Sequence, residues 1–271
     1  MPELPEVETT KRGISPHIEN RRVKEIIVRQ KKLRWEVPNN LNRDLVGKII
    51  FTVKRRGKYL LLASDNGTLI IHLGMSGRLR IVNKDLIAAK HDHVDVVLEN
   101  GKALRFTDPR RFGCVLWEAS DIDSHPLLKN LGTEPLHDEF ESDYLFKASR
   151  GRSIAIKTFI MDSKIVVGVG NIYANESLFL AGINPKRPAG KISKAKYDKL
   201  VPSIKKILRE AIAVGGTTLR DFTNSSGEPG YFKQSLNVYG RGGENCIRCG
   251  NGLKEIRLGQ RSTVYCTQCQ N

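Results

Sequence analysis

The sequence predicts an α+β protein in which an antiparallel β domain with one leading helix precedes a helical domain and a cysteine-rich hairpin. Short β-rich runs fill residues 1 to about 120, and apolar residues beyond 137 recur with the helical period. Four cysteines then crowd into residues 246–269. Since 271 residues suffice for more than one domain, we expect boundaries near 1–125, 136–236 and 237–271.

The first domain shows a leading helix followed by β signals. The helix is expected over 7–18, with acidic residues near its start that suit the helix dipole. Asn66-Gly67 and Asn100-Gly101 each lie between two β-rich runs, which is a strong hairpin signal. This pattern predicts an antiparallel sandwich or flattened barrel.

Helical periodicity marks the second domain. A linker rich in Pro and Gly is expected over 121–137, and Pro202 predicts a kink or a late start in the last helix. The segment 221–234 is interpreted as a long loop of the kind that often carries function. The predicted helices cover 138–148, 171–181 and 193–214.

The charge balance points to a polyanionic partner. The chain has 45 Lys and Arg against 29 Asp and Glu, a net charge of +16. Nucleic acid is the leading partner, although charge alone leaves an anionic membrane surface or ribosomal RNA open. We see no apolar run of membrane-spanning length and no signal-peptide pattern, so a cytosolic protein is expected.

Four cysteines form two Cys-x-x-Cys pairs, which predicts one structural zinc ion. Tetrahedral zinc takes four thiolates, and such a set leaves no open position for catalysis. No redox or nucleotide cofactor is expected. A fifth cysteine, Cys114, is interpreted as a small buried apolar residue. The predicted ligands are Cys246, Cys249, Cys266 and Cys269.

The N-terminus offers a nucleophile. Removal of Met1 exposes the secondary amine of Pro2, and an α-amino group titrates close to neutral pH. Attack on a sugar C1′ gives an iminium ion that acidifies the C2′ proton, and Glu3 or Glu6 stands close enough in sequence to transfer protons. By itself, Met-Pro-Glu is also an ordinary way for a protein to start.

Ordered motifs along the whole chain decide in favour of the nucleophile. The motifs are PELPEVE (2–8), RGKY (56–59), HLGMSG (72–77), KHDHVD (90–95), DPRRFG (108–113), GVGNIY (168–173), GYF (230–232) and VYG (238–240). With these motifs, residues 2–271 closely resemble the formamidopyrimidine-DNA glycosylase family, bacterial enzymes for 8-oxoguanine and ring-opened purines. The related endonuclease VIII branch typically has Gly where this chain has Leu4.

The resemblance implies a fold and a catalytic set. The fold is an N-terminal antiparallel β-sandwich with flanking helices, a central helix–two-turn–helix domain and a C-terminal zinc-finger hairpin. Pro2 matches the Schiff-base nucleophile and Glu3 the acid that assists sugar-ring opening. Lys58 matches a proton donor in β-elimination, and Arg261 matches the zinc-finger arginine linked to δ-elimination.

The resemblance also implies DNA contacts. Met75, Arg110 and Phe112 match a trio that fills the space left by a flipped base, and we call them the wedge residues. Lys157 matches a lysine near the damaged base, although Thr158 follows where many relatives have Pro. The segment 217–231 resembles a loop that closes over the flipped base. Further DNA-contact positions are His91, Arg152 and Asn171.

The expected function is a bifunctional glycosylase and AP lyase that acts as a monomer on damaged double-stranded DNA, at the bacterial nucleoid. A catalytically silent damage sensor is the second hypothesis, and the presence of Pro2, Glu3 and Lys58 argues against it. A zinc-ribbon RNA-binding protein is the third. It leaves the N-terminal and wedge motifs unexplained.

Overall fold

The computed structural model describes residues 2–216 and 236–271, which form two compact units. The first unit contains residues 2–129 and 214–216, and the second contains 130–213 and 236–271. The predicted loop 221–234 and the segment 217–231 lie outside the described residues. No helix in the described ranges combines the length and apolarity that a membrane span needs.

The first unit is built on eight antiparallel strands in the order β5-β7-β6-β1-β2-β3-β4-β8. Both predicted hairpins are present, β3–β4 around Asn66 and β6–β7 around Gly101. Helix α1 covers Leu4–Ile18 and α2 covers Leu41–Leu45. The strands are β1 Arg21–Val28, β2 Ile49–Arg56, β3 Tyr59–Ser64, β4 Gly67–His72, β5 Arg78–Asn83, β6 Asp92–Leu98, β7 Lys102–Thr107 and β8 Cys114–Glu118.

Strand β1 joins two halves of this sheet. Arg21 and Arg22 pair with β2, whereas Val23–Val28 pair with β6. Apolar side chains from both halves, among them Leu62 on β3 and Leu104 on β7, belong to one buried cluster. The halves therefore share a core, as the predicted sandwich requires.

Helix α1 begins three residues earlier than the periodicity predicts, at Leu4. Glu3 is its N-cap, and Glu6 Oε2 accepts the backbone N–H of Glu3 at 2.8 Å. This capping box satisfies donors that the first turn leaves unpaired. The helix packs against β2, β3 and β5.

In its described residues, the second unit combines four α-helices with a two-stranded hairpin. The last helix runs through Pro202 from Lys194, so the predicted late start was wrong. The helix predicted from 138 begins at Ser142. The elements are α3 Ser142–Ser149, α4 Ile156–Ile160, α5 Asn171–Leu180, α6 Lys194–Ala213, β9 Lys254–Leu258 and β10 Arg261–Tyr265.

Candidate functional site

The N-terminal residues are held inside the first unit. Pro2 is buried immediately ahead of α1, and Glu3 and Glu6 are 2% and 0% exposed. Because the capping box fixes the Glu3 backbone, it also fixes the direction in which the chain leaves Pro2. The predicted nucleophile and its predicted acid are thus ordered side by side.

A chain of hydrogen bonds links α1 to the turn that carries Lys58. Glu8 Oε2 accepts Arg55 Nε at 3.0 Å, and Arg55 Nη1 donates to the Gly57 carbonyl at 3.0 Å. Burial raises the pKa of Glu8, but the Arg55 hydrogen bond and the Lys11 charge outweigh it and hold the pKa below its ordinary value. The ionised carboxylate therefore anchors the β2–β3 turn, and with it Lys58, to the helix that begins beside Pro2.

His72 stands next to this turn as a neutral imidazole. Burial, together with the charges of Lys58 and Arg34, lowers the pKa of His72 to about 4. Its Nδ1 accepts the Gly74 N–H at 3.0 Å, so Nε2 carries the proton. A histidine held this way donates one hydrogen bond and adds no positive charge at neutral pH.

The wedge residues lie on two loops that one buried carboxylate joins. Asp108 is 0% exposed, and its Oδ1 accepts the Ser76 hydroxyl at 2.7 Å. Its Oδ2 accepts the Gly113 N–H at 2.8 Å. Ser76 follows Met75, and Gly113 follows Phe112, so Asp108 positions both loops of the wedge. Sequence reasoning missed this role, although Asp108 opens the DPRRFG motif.

The two wedge loops also touch through their backbones. A Cβ on Gly74 would collide with the backbone of Phe112 and Gly113, and the φ of Gly74 is +63°. The guanidinium carbon of Arg110 stands 4.9 Å from the centre of the Phe112 ring, which is 45% exposed. The structure thus brings together a half-buried Met75, an exposed aromatic ring and a cation, the chemistry that the wedge prediction requires.

In the second unit, Lys157 connects α4 to α5 and to the hairpin. Its side chain is 1% exposed, and Nζ donates to Asn171 Oδ1 at 2.6 Å. The same Nζ donates to the Ser262 carbonyl at 2.8 Å and the Thr263 hydroxyl at 2.7 Å. An ammonium held inside the protein on these acceptors is placed to orient Asn171 and the hairpin.

Asn171 is the first residue of α5, where backbone N–H groups face outward and favour anions. Because its Oδ1 receives Lys157, the amide presents its NH₂ end on the other side. One turn later, Asn175 accepts the Val264 N–H at 2.9 Å and ties the helix to β10. The predicted phosphate-binding asparagine is therefore half-buried and held in one orientation.

The hairpin presents Arg261 at its tip. The turn between the strands consists of Gly259 and Gln260, both with positive φ, at 53° and 61°. Two such residues form the tight turn that matches the twist of paired strands. Arg261 follows directly, pairs with Leu258 and is exposed. Its side chain is thus carried by a rigid turn.

Arg152 is exposed on the turn that ends α3, which suits the predicted contact with DNA. Its neighbour Arg150 instead stacks over the Phe146 ring at 4.0 Å and donates to the Ala189 and Ile192 carbonyls. The sequence Arg150-Gly151-Arg152 has no feature that separates these two roles.

The four predicted thiols meet at one point. All four sulfur atoms lie within 4.8 Å of one another, with Cys246 and Cys269 at 4.0 Å and Cys249 and Cys266 at 3.4 Å. Tetrahedral zinc with bonds of about 2.3 Å needs sulfur atoms roughly 3.8 Å apart. Each Cys-x-x-Cys pair also directs a backbone N–H at the sulfur of its first cysteine. The donor set fits one structural zinc ion.

Glu176 is a second buried carboxylate that sequence reasoning missed. It is 0% exposed, and its two oxygens accept the backbone N–H groups of Asn237, Val238 and Tyr239 at 2.8–2.9 Å. Asn237 adds a side-chain donor at 2.8 Å. Because these partners lie 61–63 residues further along the chain, no local pattern in the sequence indicates the contact.

Models of three known protein domains match the chain in order along its length. The formamidopyrimidine-DNA glycosylase N-terminal domain matches residues 1–115 and the H2TH domain of the same protein matches residues 131–223. A zinc finger found in FPG and IleRS matches residues 243–271. The chain belongs to the formamidopyrimidine-DNA glycosylase (Fpg) family. The zinc-finger match and the four-thiol geometry agree on the structural zinc site.

Full-length relatives and solved structures place the chain within the Fpg family. Formamidopyrimidine-DNA glycosylases of Idiomarina loihiensis and Stutzerimonas stutzeri are 62% and 59% identical over 270 residues, with 100% of each chain covered. MutM (FPG) from Thermus thermophilus is 35% identical with a TM-score of 0.89, covering 99% of this chain and 98% of that one. A Lactococcus lactis FPG mutant, solved with Fapy-dG-containing DNA, is 33% identical with a TM-score of 0.93 and full coverage of both chains. The predicted sandwich, H2TH domain and zinc finger are confirmed by these matches.

Proposed function

We propose that this Fpg-family member is a bifunctional glycosylase and AP lyase that excises oxidised purines from duplex DNA. The observation that carries the proposal is the full-length match to Fpg relatives, which include Lactococcus lactis complexes with Fapy-dG and abasic-site DNA. The net charge of +16 supports binding to a polyanion. The chain is proposed to act as a monomer on the bacterial nucleoid, with functional domains near 1–125, 136–236 and 237–271.

In this proposal, base removal starts at Pro2. The amine attacks C1′, the bond to the damaged base breaks, and the base leaves with the electron pair and takes up a proton. Glu3 donates a proton to the sugar ring oxygen as the ring opens, which leaves an iminium ion between Pro2 and C1′. The buried capping box supports this assignment because it orders Pro2 and Glu3 together.

Strand cleavage follows from the iminium ion. Loss of the C2′ proton expels the 3′ phosphate, and a second elimination expels the 5′ phosphate, leaving phosphates on both ends of the gap. Lys58 and Arg261 are proposed to assist the two eliminations. Met75, Arg110 and Phe112 fill the vacated stack, while Asn171, His91 and Arg152 contact the backbone.

The proposal predicts a covalent intermediate that borohydride reduces. The native chain, incubated with borohydride and a duplex carrying one 8-oxoguanine opposite cytosine, should give a protein–DNA adduct and a strand break. An undamaged duplex is the control and should give neither product. Cleavage without adduct would show that the nucleophile is water or a metal-bound hydroxide. Binding with neither product would favour the silent sensor.

The contacts of Lys157 predict that it acts through Asn171 and the hairpin. Replacing it in Lys157→Met removes three donated hydrogen bonds, and a misplacement of about 1 Å at a site can cost on the order of 10²-fold in rate. We therefore expect kcat/KM on the 8-oxoguanine duplex to fall by about that factor. Lys164→Met, which removes the same charge from an exposed position, should stay within about threefold. Equal activity of the two variants would contradict this role.

A further inference from the structure

The loop 84–91 of the first unit crosses from β5 to β6 over the strand between them. Strand β7 pairs with β5 on one side and β6 on the other, so the connection must run along β7. Along the way, the side chains of Leu86 and Ile87 are 52% and 91% exposed. Burial of these two apolar side chains therefore does not fix the position of the loop against the sheet.

Arg105 on β7 holds the loop from inside the sheet. It is 1% exposed, and its guanidinium donates to the Leu86 carbonyl at 2.9 Å and to the Ile87 carbonyl at 3.4 Å. Nε and Nη2 also donate to the two oxygens of Asp95 at 2.9 and 2.8 Å. Arg105 thus joins the loop backbone to a fixed carboxylate on β6.

Asp92 closes the other end of the loop. Its Oδ2 accepts the Ala89 N–H at 2.8 Å and lies 3.5 Å from Arg105 Nη1. His91, the residue before it, offers its carbonyl to the Asp108 N–H at 3.0 Å. The end of the loop is thereby joined to the residue whose carboxylate organises the wedge loops.

Arg105, Asp92 and Asp95 form a buried charge cluster, and hydrogen bonds keep the Asp95 carboxylate ionised. Burial raises the pKa of Asp95, but hydrogen bonds from Arg105 and Arg29 outweigh it and leave the pKa below its ordinary value. Burying such a cluster is a poor way to gain stability, since well-packed apolar residues of similar size often do as well or better. A guanidinium, unlike an apolar side chain, can donate hydrogen bonds in fixed directions to the loop carbonyls.

We infer that Arg105 is a positioning residue of the DNA-binding surface, which holds loop 84–91 so that His91 meets the backbone of the duplex. The inference rests on the proposed function. The outer side of the loop suits that partner, because Lys84, Lys90 and the half-buried His91 stand on a backbone that cannot shift freely. A role in presenting these groups to DNA explains why the loop carbonyls are bound to a buried cation.

The test is a double-mutant cycle on binding to a duplex with a tetrahydrofuran abasic analogue. Arg105→Lys keeps a cation but cannot reach the carboxylate and both carbonyls, so we expect affinity to fall on the order of tenfold. His91→Ala should cost a similar factor, and the double variant should bind no more weakly than His91→Ala alone. If Arg105→Lys does not fold, Asp92→Asn should reproduce the loss of affinity. This substitution keeps the shape of the side chain and weakens its contacts with the Ala89 N–H and with Arg105.

Arg29→Met is the matched control. Arg29 donates to the same Asp95 carboxylate at 2.8 Å but to no carbonyl of the loop, so its loss should lower the melting temperature and leave affinity within about twofold. Equal losses in Arg29→Met and Arg105→Lys, or additive losses in the double variant, would overturn the inference. So would native affinity in either Arg105→Lys or His91→Ala. If the native chain itself fails to bind or to form the borohydride adduct, the proposed function is what fails.

Discussion

A form of the chain that keeps Met1 should bind damaged duplex and yield no borohydride adduct. With Met1 in place, the nitrogen of Pro2 is part of an amide, which is neither basic nor nucleophilic. We expect adduct formation and strand cleavage to fall by on the order of 10³-fold or more. The measurement is the fraction of labelled duplex trapped as protein–DNA adduct.

The control uses the same molecule. Treating the Met1-retaining form with a methionine aminopeptidase exposes Pro2 and should restore the adduct in proportion to the Met1 released. Affinity for an abasic-analogue duplex should stay within a few-fold before and after treatment, because the other predicted DNA contacts remain in place. An adduct formed at the native rate with Met1 attached would assign the nucleophile to another residue.

Loss of zinc is expected to weaken DNA binding strongly by unfolding the hairpin. Among the residues that the structure describes, the apolar cluster packed with the hairpin contains six buried residues, two of which are the zinc ligands Cys246 and Cys266. Structural zinc contributes about 10–16 kcal/mol in zinc-finger peptides, far more than so small a cluster can replace. Cys249→Ser should therefore lose zinc and weaken binding by on the order of 10²-fold.

Cys114→Ala is the matched variant for this experiment. Cys114 is buried in β8 of the first unit and is not one of the four predicted zinc ligands, and burial raises the pKa of its thiol to about 12. That variant should keep its zinc, measured by native mass spectrometry, and its affinity. The core of the first unit includes none of the four ligands, so its near-UV signal should survive in Cys249→Ser. Full affinity in zinc-free Cys249→Ser would refute the structural role of the metal.

Local patterns predicted what depends on neighbours in sequence. The Asn66-Gly67 and Asn100-Gly101 hairpins, the helix of about 20 residues near the end of the second domain and the two Cys-x-x-Cys pairs all have short-range causes, and all are present. The placement of Pro2 and Glu3 side by side likewise follows from adjacency in the chain.

The roles of the buried charged residues could not be predicted, because their partners lie far away in the sequence. Arg105 meets carbonyls 18 and 19 residues away, and Asp108 meets Ser76 across 32 residues. In sequence, each is one more charged residue in a chain that is 27% charged. The burial of Lys157 could not be predicted for the same reason, since two of its acceptors lie 105 and 106 residues later.

The hydrogen bonds between Glu176 and the backbone of residues 237–239 have a consequence for how this family can diversify. Helix α6 ends at Ala213, and the Asn237 N–H donates a hydrogen bond to the buried Glu176 carboxylate on α5. Because that anchor sets the path into the zinc finger, residues inserted or deleted between these points need not displace the hairpin that follows. Evolution, or a protein engineer, can therefore lengthen, shorten or exchange the intervening segment while the metal site stays intact.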